Sequence, residues 1–155
     1  MVDKLDTTEI VVKLVQHTLS GPYSTVELIG SRYFGWDNEK SDFDFLVLYE
    51  GDEIFNTIAG KLKAIRMLTD LESPYPFKHY RADSPWGQID LCFTRNREEF
   101  YALVEEHQRL KLCYEKHPNL NELAMLLHAH GVSGAKRYQI VRDFAVYRNG
   151  SFQPL

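Results

Sequence analysis

The chain has 155 residues, 44% of them hydrophobic and 26% charged, with a formal net charge of −4. That length accommodates one domain with a sizeable core, and the apolar and charged shares are ordinary for a soluble globular chain. The acidic balance excludes a whole-chain basic field that would recruit nucleic acid or an anionic membrane, while leaving room for a local basic groove.

The two cysteines, Cys92 and Cys113, show no metal or redox spacing and read as free thiols of a reducing compartment. No apolar run is long enough to span a bilayer. The charged start Met1-Val2-Asp3-Lys4-Leu5-Asp6 lacks the apolar segment of a signal peptide. Cytoplasmic residence with no membrane partner is the expectation.

In chain order, Thr7 or Thr8 caps a first helix whose residues Ile10, Val11, Leu14, Val15 and Leu19 form an apolar face, and Gly21-Pro22 ends it. Thr25–Ile29 reads as a strand, broken abruptly by Gly30-Ser31. Gly30–Ser41 reads as a loop with three aromatics, Tyr33, Phe34 and Trp36. Asp42–Tyr49 reads as a second strand, apolar on both faces after Asp44 and therefore central in its sheet. Gly51 or Asp52 starts a helix with Ile54, Ile58, Leu62 and Ile65 inward, fading near Thr69-Asp70; Ser73-Pro74-Tyr75-Pro76 forbids its continuation.

Phe77–Arg81 and Gln88–Thr94 read as the arms of a hairpin around Asp83–Gly87. In the second arm Ile89, Leu91 and Phe93 share one face, Asp90 and Cys92 the other. Asn96 then caps a helix containing Phe100, Leu103, Val104 and Leu110, and Pro118 starts another that Gly131 ends. Ser133 caps a last helix carrying Ile140, Val141, Phe144 and Tyr147, with a frayed tail from Asn149. The expected fold is α+β: a mixed β-sheet packed by helices with a helical C-terminal extension. It forms a single domain over residues 1–155, its core at 1–95 and the extension at 96–148.

The anomaly is Asp42 and Asp44, two carboxylates entering an apolar strand. Such groups are costly there unless a cation pairs with them. Residues i and i+2 of a strand point the same way, so the like charges repel, which raises a pKa or draws in a cation. Hard oxygen ligands suit Mg²⁺ or Mn²⁺, which commonly keep positions for substrate phosphates. Asp90 becomes a third carboxylate if its strand lies beside that of Asp42, enough for a two-metal site; otherwise it pairs with Arg81 or Lys78 across the hairpin. Gly30-Ser31 supplies the complement, a turn where phosphate approaches the backbone closely, N–H groups at the start of a short helix face it, and the Ser31 hydroxyl adds a donor.

Gly30-Ser31-Arg32-x-x-Gly35 followed by Ser41-Asp42-x-Asp44 resembles the signature of the DNA polymerase β-like nucleotidyltransferase superfamily, most closely its minimal nucleotidyltransferases. The resemblance covers roughly Thr8–Thr94. It implies transfer of an NMP group from an NTP to a hydroxyl on a protein, an RNA end or a small molecule, with release of pyrophosphate. It implies two Mg²⁺ (or Mn²⁺) ions on Asp42, Asp44 and Asp90, and nucleotide phosphates on Gly30 and Ser31. The motif positions Arg32, Gly35 and Ser41 join the substrate-binding set. Tyr33-Phe34 departs from the small-plus-basic pair of the minimal members, which leaves the acceptor and base contacts open.

Each feature also has a plainer reading. Arg32 is either a phosphate contact or a solvated loop charge, and Tyr33, Phe34 and Trp36 either stack a base or fold back on the core. His128-x-His130 points its rings apart on a helix, which argues against zinc. Cys92 has no histidine at a readable spacing and reads as a small filler. Lys136, Arg137 and Arg142 read as a solvated helix face, with a triphosphate or acceptor contact as the rival. Two other functions compete with transfer: an antitoxin-like or regulatory nucleotide-binding module without turnover, and a glycosyltransferase using Asp-x-Asp with a nucleotide sugar.

Overall fold

The computed structural model describes residues 6–64, 69–71, 78–132, 136–137, 139–140, 145–148 and 151–154. Two compact units divide the chain, Met1–Ala102 and Leu103–Leu155. In the first, α1 (Thr7–Leu19) places Val11, Val15 and Leu19 four residues apart, so one stripe is buried. Leu14, expected on that stripe, is exposed. The N-cap is Asp6 rather than either threonine, its carboxylate accepting the Thr8 N–H at 3.1 Å.

Strand β1 (Ser24–Ile29) leads directly into α2 (Gly30–Phe34), the short helix expected at the Gly-Ser turn, which takes up the first part of the Gly30–Ser41 loop segment. β2 (Phe43–Tyr49) begins one residue after Asp42, so Asp42 stands at the strand's entrance and Asp44 within it. Its Phe43, Phe45, Leu46 and Val47 are almost fully buried, and each such side chain contributes roughly 1.5–3 kcal/mol by leaving water. α3 (Asp52–Ala64) follows and packs Ile54 and Phe55 on the core. The expected inward Ile65, the Ser73-Pro74-Tyr75-Pro76 break and Phe77 lie outside the described residues.

Thr69–Leu71, expected to be the fading end of that helix, is instead a short strand, β3, paired antiparallel with β4 (Lys78–Ser84). β4 turns through Pro85-Trp86, a tighter turn than expected, into β5 (Gly87–Thr94). The sheet has five strands in the order β1-β2-β5-β4-β3. β2 runs antiparallel to β1 and parallel to β5, which makes the sheet mixed and β2 internal. One face carries the aromatic and aliphatic core, where Phe55, Tyr80 and Phe93 pack their rings 5.4–5.6 Å apart. The α+β class read from the sequence is the class observed.

α4 (Arg97–Lys116) starts at Asn96, whose side-chain oxygen accepts the Glu99 N–H at 3.1 Å as the capping reading expects. In the second unit, α5 (Pro118–Ala129) opens with proline in its first turn, and Gly131 follows it with φ +75°. Residues 136–137 and 139–140 are helical. The Ser133 cap, Val141, Arg142 and Phe144 lie outside the described residues. Tyr147 is not helical: β6 (Ala145–Arg148) pairs antiparallel with β7 (Ser151–Pro154), so the tail expected to fray forms a hairpin.

Candidate active site

The face of β2 and β5 opposite the core carries the anomalous carboxylates. Their parallel register sets Asp44 directly beside Asp90, about 4.8 Å away at the backbone. Across the next pair Asp90 stands opposite Arg81. The two placements considered for Asp90 occur together: its strand lies beside the Asp42–Asp44 strand, and its Oδ1 accepts from Arg81 Nε at 3.4 Å. Lys78 is not its partner; the ammonium sits 4.0 Å over the Phe55 ring.

Gln88, two residues before Asp90, shares its face. The Gln88 amide Nε2 donates to Asp42 Oδ2 at 3.1 Å and to Asp90 Oδ1 and Oδ2 at 3.1 and 3.3 Å. Burial, followed by the charge of Asp90, raises the Asp42 pKa above the ordinary carboxylate value, with Arg81 and Arg32 opposing. Gln88 was not singled out in the sequence. Its one legible signal was the spacing of two from Asp90.

Gly30 is required twice. Its φ is +77°, and a Cβ there would lie 2.5 Å from Asp44 Oδ2. The Gly-Ser turn and the strand carboxylate are thus in direct apposition. Ser31 is buried, and its carbonyl accepts the Trp36 N–H at 2.9 Å to close α2. Gly35 supplies the left-handed cap at φ +78°, with open space around it.

Arg32 is neither a solvated loop charge nor turned toward the carboxylate face. It is 8% exposed. Its guanidinium donates to the Ser41 carbonyl at 2.8 Å, the Asp42 carbonyl at 3.2 Å, Thr8 Oγ1 at 3.0 Å and Asp37 Oδ2 at 3.3 Å. It also stacks on Phe43 at 3.7 Å. Arg32 therefore pins the loop that delivers Asp42 to the mouth of β2. Ser41 belongs to the same knot, its carbonyl on Arg32 and its Oγ accepting the Asn38 N–H at 2.9 Å.

The aromatic segment folds back: Trp36 is buried and stacks on Phe34 at 4.7 Å, and Tyr33 meets Phe34 edge-on at 5.3 Å. Cys92 has a histidine neighbour after all, His79 directly across β4, a pairing only register could reveal. His79 Nε2 is buried and has no hydrogen-bond partner among the described residues. Burial, then Asp44 and Asp90, push the Cys92 thiol up to about 12, so it is no nucleophile at neutral pH. In the second unit Arg137 donates to the Val132 carbonyl at 2.8 Å and lies 3.0 Å from His128 Nδ1, so it is tied to the chain rather than to a solvated face.

The donor set suits a hard divalent cation in kind: carboxylate oxygens of Asp42 and Asp90 approach a single nitrogen, with Asp44 alongside. Among the described residues no three His, Cys, Asp or Glu side chains are gathered as a group that could hold a metal ion. No helix among them is long and apolar enough to cross a membrane.

No family model matches the chain, and no curated protein does. Solved structures do. A cytoplasmic RNA terminal U-transferase is similar at 19% identity and TM-score 0.57, over 77% of this chain and 36% of that one. The Cid1 poly(U) polymerase with magnesium and 3′-dATP is similar at 17% identity and TM-score 0.57, over 77% of this chain and 39% of that one. The same enzyme with MgGTP gives 17% identity and TM-score 0.59, over 79% and 40%. The likeness shows a nucleotidyltransferase-like fold, and the chain spans well under half the length of these neighbours.

Proposed function

We propose that the chain is a metal-dependent nucleotidyltransferase that moves an NMP group from an NTP to the 3′ hydroxyl of an RNA, releasing pyrophosphate. The observation that carries this reading is the register seating Asp44 beside Asp90 while Gly30 abuts Asp44 from the other side. Asp42, Asp44 and Asp90 would hold Mg²⁺ or Mn²⁺. Bound there, the cation would act as a Lewis acid on the phosphates and favour ionisation of the attacking hydroxyl.

The chain's own residues supply position and charge. Gly30 and Ser31 offer backbone N–H groups to the NTP phosphates, and Arg32 keeps Asp42 in place without touching substrate. Asp90 is set to receive the proton of the incoming hydroxyl, whose oxygen bonds the α-phosphorus as the bond to pyrophosphate breaks. Beside it, Arg81 spends one N–H on Asp90, and its terminal amino groups make no other hydrogen bond among the described residues. A half-exposed guanidinium so placed suits the last phosphodiester of a nucleic-acid end. The structural neighbours named as RNA terminal U-transferase and poly(U) polymerase support RNA over a protein or small-molecule acceptor.

A second reading, nucleotide binding without turnover, is favoured by the absence of an assembled acidic triad among the described residues. One experiment separates them. End-labelled RNA is incubated with each NTP and Mg²⁺ or Mn²⁺. Transfer predicts extension that falls at least about a hundredfold in Asp44→Asn, the scale of losing a catalytic group. Arg81→Ala should weaken use of RNA more than of NTP. Nucleotide binding with no product on RNA, protein or small hydroxyl compounds selects the second reading.

A further inference from the structure

We infer that the Gln88 amide holds the place of a divalent cation between Asp42 and Asp90, so that amide and cation exclude one another. The inference rests on the metal-dependent reading above.

Three hydrogen bonds carry it. Gln88 Nε2 lies within 3.3 Å of Asp42 Oδ2 and of both Asp90 oxygens. An amide nitrogen has two protons, so three carboxylate oxygens share two donors. The opposite orientation would set the amide oxygen against all three and be repelled. Asp90 also has Arg81. Among the described residues the Asp42 carboxylate has no ion pair, and Gln88 is its one hydrogen-bond donor.

A cation bridging those carboxylates would approach their oxygens to about 2.1 Å. Coordination that close leaves no room for a nitrogen between the same oxygens, so the side chain has to swing out. The amide therefore stabilises the protein before the cation enters and lends nothing afterwards. Removing it should strengthen cation binding, whereas removing a ligand would weaken it. Hydrogen bonds to charged groups belong to the stronger class, so the effect should be on the order of tenfold. The contrary possibility is specific: if the amide turns and offers Oε1 to the cation, Gln88 is a ligand and its loss lowers affinity.

The test is calorimetric titration of MnCl₂ into the chelator-treated full chain, wild type against Gln88→Ala and Gln88→Met, the latter keeping length without donors. Melting temperatures are recorded without metal. The inference expects roughly tenfold tighter Mn²⁺ in both variants, with metal-free melting temperatures a few degrees lower. Wild type that binds Mn²⁺ while the variants bind it equally or less tightly overturns the placeholder role and leaves the proposed function standing. Wild type that binds no Mn²⁺, with or without NTP, overturns both.

Discussion

The two faces of β5 are built on opposite principles. Ile89, Leu91 and Phe93 are nearly inaccessible and pack into one apolar cluster, each contact adding to the stability of the fold. On the other face, one residue out of phase, Asp90 and Cys92 stand beside Asp44, Arg81 and His79, where like charges adjoin and a buried ring nitrogen has no partner among the described residues. A strand two residues in period can hold both because its faces do not communicate through side chains. The core face supplies the rigidity that lets the other face keep carboxylates close together at a cost. That division is the physical ground for the proposed site: its polar side is held in place against its own repulsion.

Breaking the core face should show the largest effect. Phe93→Ala removes a fully buried ring in contact with Tyr49, Phe55 and Tyr80. A loss of about 3–5 kcal/mol in urea unfolding is expected, a large share of a typical domain's stability.

Two glycines sharpen the comparison. Gly30→Ala and Gly35→Ala both force a residue with a Cβ into φ near +77°, costing about 1–2 kcal/mol each. Only Gly30→Ala also drives a methyl into Asp44. Both should lower the urea midpoint, Gly30→Ala by more because of that clash, while nucleotide affinity falls in Gly30→Ala alone.

A pH scan reads the cysteine. Its folded thiol pKa, about 12, lies above the unfolded value near 8.5–9. Folding therefore favours the protonated thiol: the contribution is intact below about pH 8.5 and lost as pH rises toward 12. Cys92→Ala should flatten that alkaline decline, and the native thiol should resist alkylation at pH 8.

Asp42→Asn should move stability least and in the opposite sense. The raised Asp42 pKa means that ionisation opposes folding. Because Asp42 is only partly buried the effect is screened, and a rise of about 1–3 °C in the metal-free melting temperature at pH 7 is expected. The sign follows from linkage: wild type loses this stability as pH rises through the folded Asp42 pKa, so the variant's advantage vanishes below about pH 4.

How much of this was legible in the sequence varied with the kind of signal. α1, β1, β2, the β4–β5 hairpin and the Asn96 cap follow from periodicity and capping chemistry. Asp42, Asp44 and Asp90 stood out because carboxylates in apolar strands need a reason. β3 spans three residues beside a proline-rich stretch, too short to carry a period. Tyr147 falls at helical spacing from Phe144 yet belongs to a hairpin, since pairing with β7 overrides local pattern.

Of the two readings of Arg32, the solvated one fails for a different reason. A loop arginine looks solvated until the loop's path is known, and here five backbone and side-chain acceptors converge on it. Gln88 and His79 escaped notice because an ordinary polar residue on a strand gains meaning only from the strand it pairs with.

The most direct test of the central claim is calorimetric titration of Mg²⁺-NTP into wild type and into Asp42→Asn/Asp44→Asn protein of unchanged fold. Wild type is expected to bind at least one NTP in a Mg²⁺-dependent manner, and the double variant to lose at least about tenfold in that affinity. Equal affinity in both proteins, or no NTP binding by wild type with Mg²⁺ or Mn²⁺ present, would contradict it.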